Sequence, residues 1–178
     1  MGKMEEAVKD ILVEIGEDIN RDGLVDTPKR VAKMYLEMTS GIREDPPDMT
    51  TFPRGSNDQM IVIKDISMHS LCEHHLIPFF GKVAIGYIPR DNILGLSKFA
   101  RVVDYFAKRP QIQEQLTSQI ADFLYSSLDP VGLMVEIRAE HLCMAFRGVK
   151  KPGHKTVTSA IRGYIDKHEF YDLIRDRK

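Results

Sequence analysis

Residues 60–89 read MIVIKDISMHSLCEHHLIPFFGKVAIGYIP. The opening MIVIKDISM and the closing GKVAIGYIP are rich in β-branched residues, which suit a pleated surface. Both predict strands. Between them lies SLCEHHLIP, a polar turn that carries a thiol and two imidazoles. The stretch therefore reads as a hairpin with reactive groups at its tip.

Working outward, Leu133, Val135, Ile137 and Ala139 alternate with other side chains, the pattern of a half-buried strand. A partner strand is predicted over Thr156–Ile161, after a turn at Lys150–His154. Two helices are predicted between the hairpins. Ser97 reads as the N-cap of the first, Val102, Val103 and Phe106 give its apolar face, and Pro110 ends it. Ile112, Leu116, Ile120, Phe123 and Leu124 mark the second, up to Asp129-Pro130. Upstream, Met4, Ala7, Val8, Ile11, Leu12, Ile15 and Ile19 recur at helical steps, and Asp22-Gly23 breaks that helix. Thr27 as N-cap and Pro28 at the first helical position start another, which Gly41 ends. Residues 42–58 hold three prolines and a glycine and read as a long connection. His168–Arg177 reads as a short closing helix.

This order predicts an α+β fold: an antiparallel four-stranded sheet with two helices on one face, plus N-terminal helices. A helical segment over 1–58 and a sheet-bearing domain over 59–178 are expected to form one structural unit. Open sheet edges call for partner subunits.

The 178 residues suit one domain, and 43% hydrophobic with 29% charged is a globular mix. Lys+Arg 25 against Asp+Glu 26 argues against a nonspecific nucleic-acid partner. No apolar run reaches the roughly 18 residues of a membrane helix, and MGKMEEAVKD lacks a signal-peptide core. With only two cysteines, a reducing, cytoplasmic setting is expected. The charge is uneven. Residues 1–60 hold 8 basic and 13 acidic groups, residues 138–178 hold 10 and 5. Arg147, Lys150, Lys151, Lys155 and Arg162 lie in that basic C-terminal segment, which reads either as a solvated face or as an anion-binding surface.

Cys72-Glu73-His74-His75 sets a thiol three residues before an imidazole, and the other thiol sits in His141-Leu142-Cys143. If the second segment is extended, His141 and Cys143 share a face. Zn²⁺ takes thiolate and imidazole ligands, and catalytic sites use about three protein ligands and leave one position open. Cys72, His75 and Cys143 would make such a set, with His74 and His141 beside it for proton transfer. From spacing alone, a closed structural zinc with His74 or His141 as fourth ligand, or two unligated buried cysteines, remain alternatives.

Several long stretches, in order, resemble GTP cyclohydrolase I: SLCEHHLIPFFGK, Ile88-Pro89 through Gly95-Leu96-Ser97-Lys98, RPQIQEQLTSQIAD, EHLCMAFRGV and TVTSAIRG. The resemblance runs from Asp26-Thr27-Pro28-Lys29-Arg30 to Arg162-Gly163. It implies the tunnelling fold, with the sheets of several subunits joined into a barrel, a decamer of two pentamers, and active sites at subunit interfaces. It implies zinc on Cys72, His75 and Cys143, acid–base roles for His74 and His141, and guanine recognition by Gln113 and Glu114. A carboxylate suits guanine because it accepts from N1–H and the 2-amino group together, a donor pair adenine lacks. Triphosphate contacts fall on Ser97, Lys98, Arg101, Arg147 and Arg30; the first two also sit where a helix start favours anions.

The implied reaction converts GTP and water to 7,8-dihydroneopterin triphosphate and formate, by hydrolytic opening at C8, an Amadori-type rearrangement and ring closure. It is the first step of pterin and folate-type biosynthesis. The turn Lys150–His154 is variable in the family, and His154 has no assigned role. The short N-terminus speaks against a regulatory extension or a feedback partner of the animal type. Two other readings stay in view: a nonenzymatic, zinc-stabilised purine-binding oligomer, and a tunnelling-fold nitrile reductase that uses NADPH and a nucleophilic cysteine.

Overall fold

The computed structural model describes residues 2–175. The chain divides into two compact units, one up to Ser40 and one from Gly41 onward. In the first, α1 (Lys3–Glu14) packs on α2 (Thr27–Met38). α1 stops short of the expected Ile19: Gly16 takes φ 85°, which the absence of a Cβ permits. Asp26, not Thr27, holds the cap position of α2, and Pro28 lies in the first turn, where its missing N–H leaves no bond unmade.

From Gly41 onward the elements are β1 (Thr51–Pro53), β2 (Ile61–Cys72), β3 (Pro78–Ile88), β4 (Asn92–Leu94), α3 (Leu96–Ala107), β5 (Pro110–Gln111), α4 (Gln113–Leu128), β6 (Gly132–His141), α5 (Leu142–Ala145), β7 (Thr156–Gly163) and α6 (Lys167–Ile174). The stretch 42–58 is not wholly a connection, since β1 pairs antiparallel with β4. Gly95 caps α3, so Ser97 is a residue within the first turn rather than the cap. The expected end of the last helix at Arg177 lies outside the described residues.

The main sheet runs β5-β2-β3-β6-β7. Its last four strands are antiparallel neighbours, as expected. The sheet is nevertheless mixed, because two-residue β5 runs parallel to the end of β2, pairing Leu71 with Pro110 and Cys72 with Gln111. Pro110 has no N–H to leave unpaired, so it is tolerated at a sheet edge.

α3 and α4 cover one face. Phe99, Val102 and Val103 from α3, and Leu116, Ile120 and Leu124 from α4, meet Phe79, Val83, Ile85, Val135 and Ile137 in one apolar cluster. β6 was expected to be half-buried, yet it is covered on both faces. Its odd-numbered residues face the helices, while Met134 packs with Phe170 of α6 and with Ile165 on the other side. α6 comes this close because Gly86 has no side chain: a Cβ there would lie 2.5 Å from the Phe170 ring. Asp166 caps α6, its Oδ1 accepting from the N–H of His168 at 2.8 Å. This second layer also encloses Glu136, which pairs with Arg138.

Phe170 is fully buried. Phe170→Ala is expected to lower stability by about 3–5 kcal/mol through lost transfer energy and a residual cavity. Urea unfolding with a midpoint equal to that of the parent protein would show that α6 is not part of the cooperative core.

Candidate metal centre and active site

The site is built at one end of the sheet. β2 continues to Cys72 and β3 begins at Pro78, so the hairpin turn shrinks to Glu73–Ile77. The backbone carbonyl of Cys72 accepts from the N–H of His75 at 3.3 Å and of Leu76 at 2.8 Å, and the Cys72 N–H donates to Ile77 O at 2.9 Å. Leu76 takes φ 52°, turning the chain back into β3. This knot holds the histidines beside the thiol: Cys72 Sγ lies 3.8 Å from His74 Nδ1 and 3.9 Å from His75 Nδ1.

The second thiol arrives from β6. His141 and Cys143 were expected on one extended segment, but the strand ends at His141 and Leu142–Ala145 forms a helical turn. That turn brings Cys143 Sγ to 4.0 Å from Cys72 Sγ. Donor atoms of Cys72, His75 and Cys143 all lie within 4.8 Å of one another. Two sulfurs and one imidazole suit a borderline-soft divalent ion. The electrostatics point the same way. Burial, and then the Cys72 sulfur beside it, push the Cys143 thiol above its ordinary pKa, while Arg147 pulls it down. A cation between the sulfurs would offset the repulsion between them.

His141 pairs across the sheet with Phe79, and the rings stack at 4.5 Å between centroids. Its Nε2 lies 2.8 Å from Oε1 of Gln113. Burial, followed by repulsion from His154, holds its pKa below the ordinary histidine range, and Glu114 opposes this. Near neutral pH the unprotonated ring is therefore favoured, the state a proton acceptor needs.

A cleft of about 260 Å³ opens over these groups, lined by Cys72, His74, His75, Glu114, His141 and Cys143 among others. Glu114 is exposed in the first turn of α4, whereas Gln113 beside it is buried with its side chain against β6 and β7. Ser97, Lys98 and Arg101 lie on α3 and do not line this cleft; Arg101 borders a separate hollow with Glu44 and Asp45. Arg147 is exposed just past α5. Arg30 lies on α2 in the first unit, where it pairs with Asp26 at 3.3 Å. Of the basic C-terminal segment, Lys155 pairs with Glu140 and Arg162 with Asp122. Gln111, Met144 and Thr156 also line the cleft, and sequence reasoning passed over them because they belong to no ionisable cluster.

Comparison with known proteins shows the family. The family model described as GTP cyclohydrolase I matches residues 4–175. The chain belongs to the GTP cyclohydrolase I family. A relative named GTP cyclohydrolase 1 from Bacillus subtilis (strain 168) is 56% identical over 163 residues, covering 90% of this chain and 86% of its own. One of that name from Pelotomaculum thermopropionicum is 55% identical over 180 residues, with 97% and 96% covered. Another, from Thermobifida fusca, is 51% identical over 184 residues, with 99% and 89% covered. Among solved structures, the archaeosine synthase QueF-Like in its apo form superposes with a TM-score of 0.50 at 19% identity, spanning 60% of this chain and 96% of its own. At that identity the likeness concerns the fold alone.

The sulfur spacing gives a direct test. Chelator-treated protein kept in air is expected to link Cys72 to Cys143, because thiolates released from a metal are reactive and already adjacent. Thiol titration and mass spectrometry follow the change. Two free thiols after prolonged aerobic dialysis would contradict the geometry.

Proposed function

We propose that the protein is a zinc-dependent GTP cyclohydrolase I, which converts GTP and water to 7,8-dihydroneopterin triphosphate and formate at the entry to pterin synthesis. The observation that carries this is the convergence of Cys72, His75 and Cys143 on one cleft with His141 and Glu114, in a chain of this family. Cys72, His75 and Cys143 would hold the zinc. When bound, the ion would supply a Lewis acid that lowers the pKa of a water molecule.

The remaining roles belong to the chain's own side chains. Glu114 accepts hydrogen bonds from N1–H and the 2-amino group of guanine and so orients C8 toward the Cys/His end of the cleft. His141, favoured in its neutral form, accepts a proton, and exposed His74 at the hairpin tip exchanges protons with solvent. Ser97 and Lys98, in the first turn of α3, suit a phosphate through a hydroxyl, an ammonium group and the positive end of the helix. Arg101 and Arg147 add charge to the triphosphate site, and Arg30 joins them on the strength of the resemblance.

Within one chain the α3 residues and the Cys/His cleft stay apart, which supports a site completed by a neighbouring copy. The proposed assembly is a decamer of two pentamers whose sheets join into a barrel. The exposed Phe80, Phe146, Val149, Val157 and Tyr164 supply apolar surface for it. Among the described residues no helix is long and apolar enough to cross a membrane, and the proposed location is the cytoplasm.

Incubation with GTP and zinc is expected to release formate and a pterin that fluoresces after oxidation. GTP bound without turnover would mark a binding module. Reduction of a deazapurine nitrile with NADPH, and no formate from GTP, would mark the reductase. Glu114→Gln replaces a charged acceptor that takes both guanine donors, so kcat/KM for GTP is expected to fall by about 10- to 100-fold with the fold intact. Steady-state kinetics at parental values would remove Glu114 from the guanine site.

A further inference from the structure

Gln113 opens α4 and is 1% exposed. The family resemblance gives it to guanine, and it borders the cleft, but both ends of its side-chain amide are already engaged by protein groups. Its Nε2 lies 3.1 Å from Ile137 O, 3.1 Å from Thr156 O and 3.0 Å from Thr158 Oγ1. Carbonyl oxygens only accept, so the atom that faces two of them is the NH₂ group, and the amide has one possible orientation. The other end, Oε1, then faces His141 Nε2 at 2.8 Å. An amide oxygen carries no proton, so His141 Nε2 is the donor. In the neutral ring, Nδ1 is left as the bare lone pair.

The amide is itself braced. Thr117 Oγ1 donates to the backbone carbonyl of Gln113 at 2.7 Å and lies 2.7 Å from Thr158 Oγ1. The imidazole is braced from another side by the stacked Phe79 ring, 4° from parallel. These contacts tie α4, β3, β6 and β7 to the orientation of one histidine.

We infer that Gln113 is a positioning residue: its amide locks His141 in the Nε2–H tautomer, so that Nδ1 is the only proton-accepting atom of that ring, and guanine recognition falls to Glu114 without the Gln113 side chain. The kinetic consequence rests on the proposed GTP hydrolysis; the tautomer does not. A histidine held in the wrong tautomer keeps its place and loses its function, so the deficit belongs in turnover and not in substrate binding.

Two measurements test this. In the first, zinc-loaded enzyme labelled with ¹⁵N-histidine is examined by solid-state NMR at about pH 8, above the ordinary histidine pKa. The His141 signals are identified by their loss in His141→Asn. A protonated Nε2 and an unprotonated Nδ1 are expected, and the reverse assignment overturns the inference. In the second, Gln113→Met keeps the side-chain volume and removes every hydrogen bond of the side-chain amide. It is expected to lower kcat by about 10²-fold or more, with zinc content unchanged, KM for GTP within about twofold, and the preference for GTP over inosine triphosphate preserved. A KM raised about tenfold with kcat unchanged, or a narrowed preference, returns Gln113 to the guanine site. If Gln113→Met does not fold, the NMR result on the parent protein decides. If the parent protein releases no formate, the GTP reading fails while the tautomer result still stands or falls alone.

Discussion

The register of β3 is the constraint on which the site depends. Phe79 lies opposite Ser70 of β2 on one side and opposite His141 of β6 on the other. That single row brings the ends of two strands to the same edge, and so places two thiols 71 positions apart in sequence within 4.0 Å of each other. Side chains alternate with period two along a strand, so a one-residue slip of β6 against β3 would turn His141 to the opposite face and break its stacking on Phe79. The apolar residues that prevent the slip are those the helices cover: Val83 and Ile85 pair with Ile137 and Val135, all without exposed surface. Core packing and site assembly are therefore one specification.

Rigidity at the strand ends comes from several small fixtures. The Cys72 backbone closes the hairpin turn by itself, and β5 adds a further bond where Glu73 N–H donates to Gln111 O at 3.1 Å. On the far side, Glu140 takes the Gly153 N–H at 2.8 Å and the Lys155 ammonium at 3.1 Å, clamping the turn that precedes β7. Those two bonds, the Gly153 N–H first, hold the Glu140 carboxyl below the ordinary range. The reactive residues thus sit on turns and helix starts, where side chains reach solvent, while a core buried on both faces of β6 fixes their positions.

Much of this was legible in the chain. The hairpin with its Cys/His tip, the alternation of Leu133 to Ala139 and the two central helices all follow from local pattern, because their side-chain periods report one covered face. What local pattern missed has a physical cause in each instance. Burial of β6 on both faces depends on α6, whose docking depends on the missing side chain of Gly86 more than 80 residues upstream of Phe170. The helical turn at Leu142–Ala145 looks extended in sequence because nothing in His141-Leu142-Cys143 marks a strand end. The inward turn of Gln113 was equally hidden, since its partners Ile137, Thr156 and Thr158 are backbone and hydroxyl groups that carry no motif. The separation of the α3 residues from the Cys/His cleft was hidden too, because spacing along a chain does not report distance in the fold.

The central claim is that this end of the sheet holds zinc through two sulfurs and one imidazole with a position left open. X-ray absorption at the zinc edge of the purified protein tests it without recourse to activity. The account predicts a shell of two sulfur scatterers at about 2.3 Å, one imidazole nitrogen at about 2.0 Å and one exchangeable light ligand. A shell without sulfur, or a closed set of four protein ligands, would contradict it.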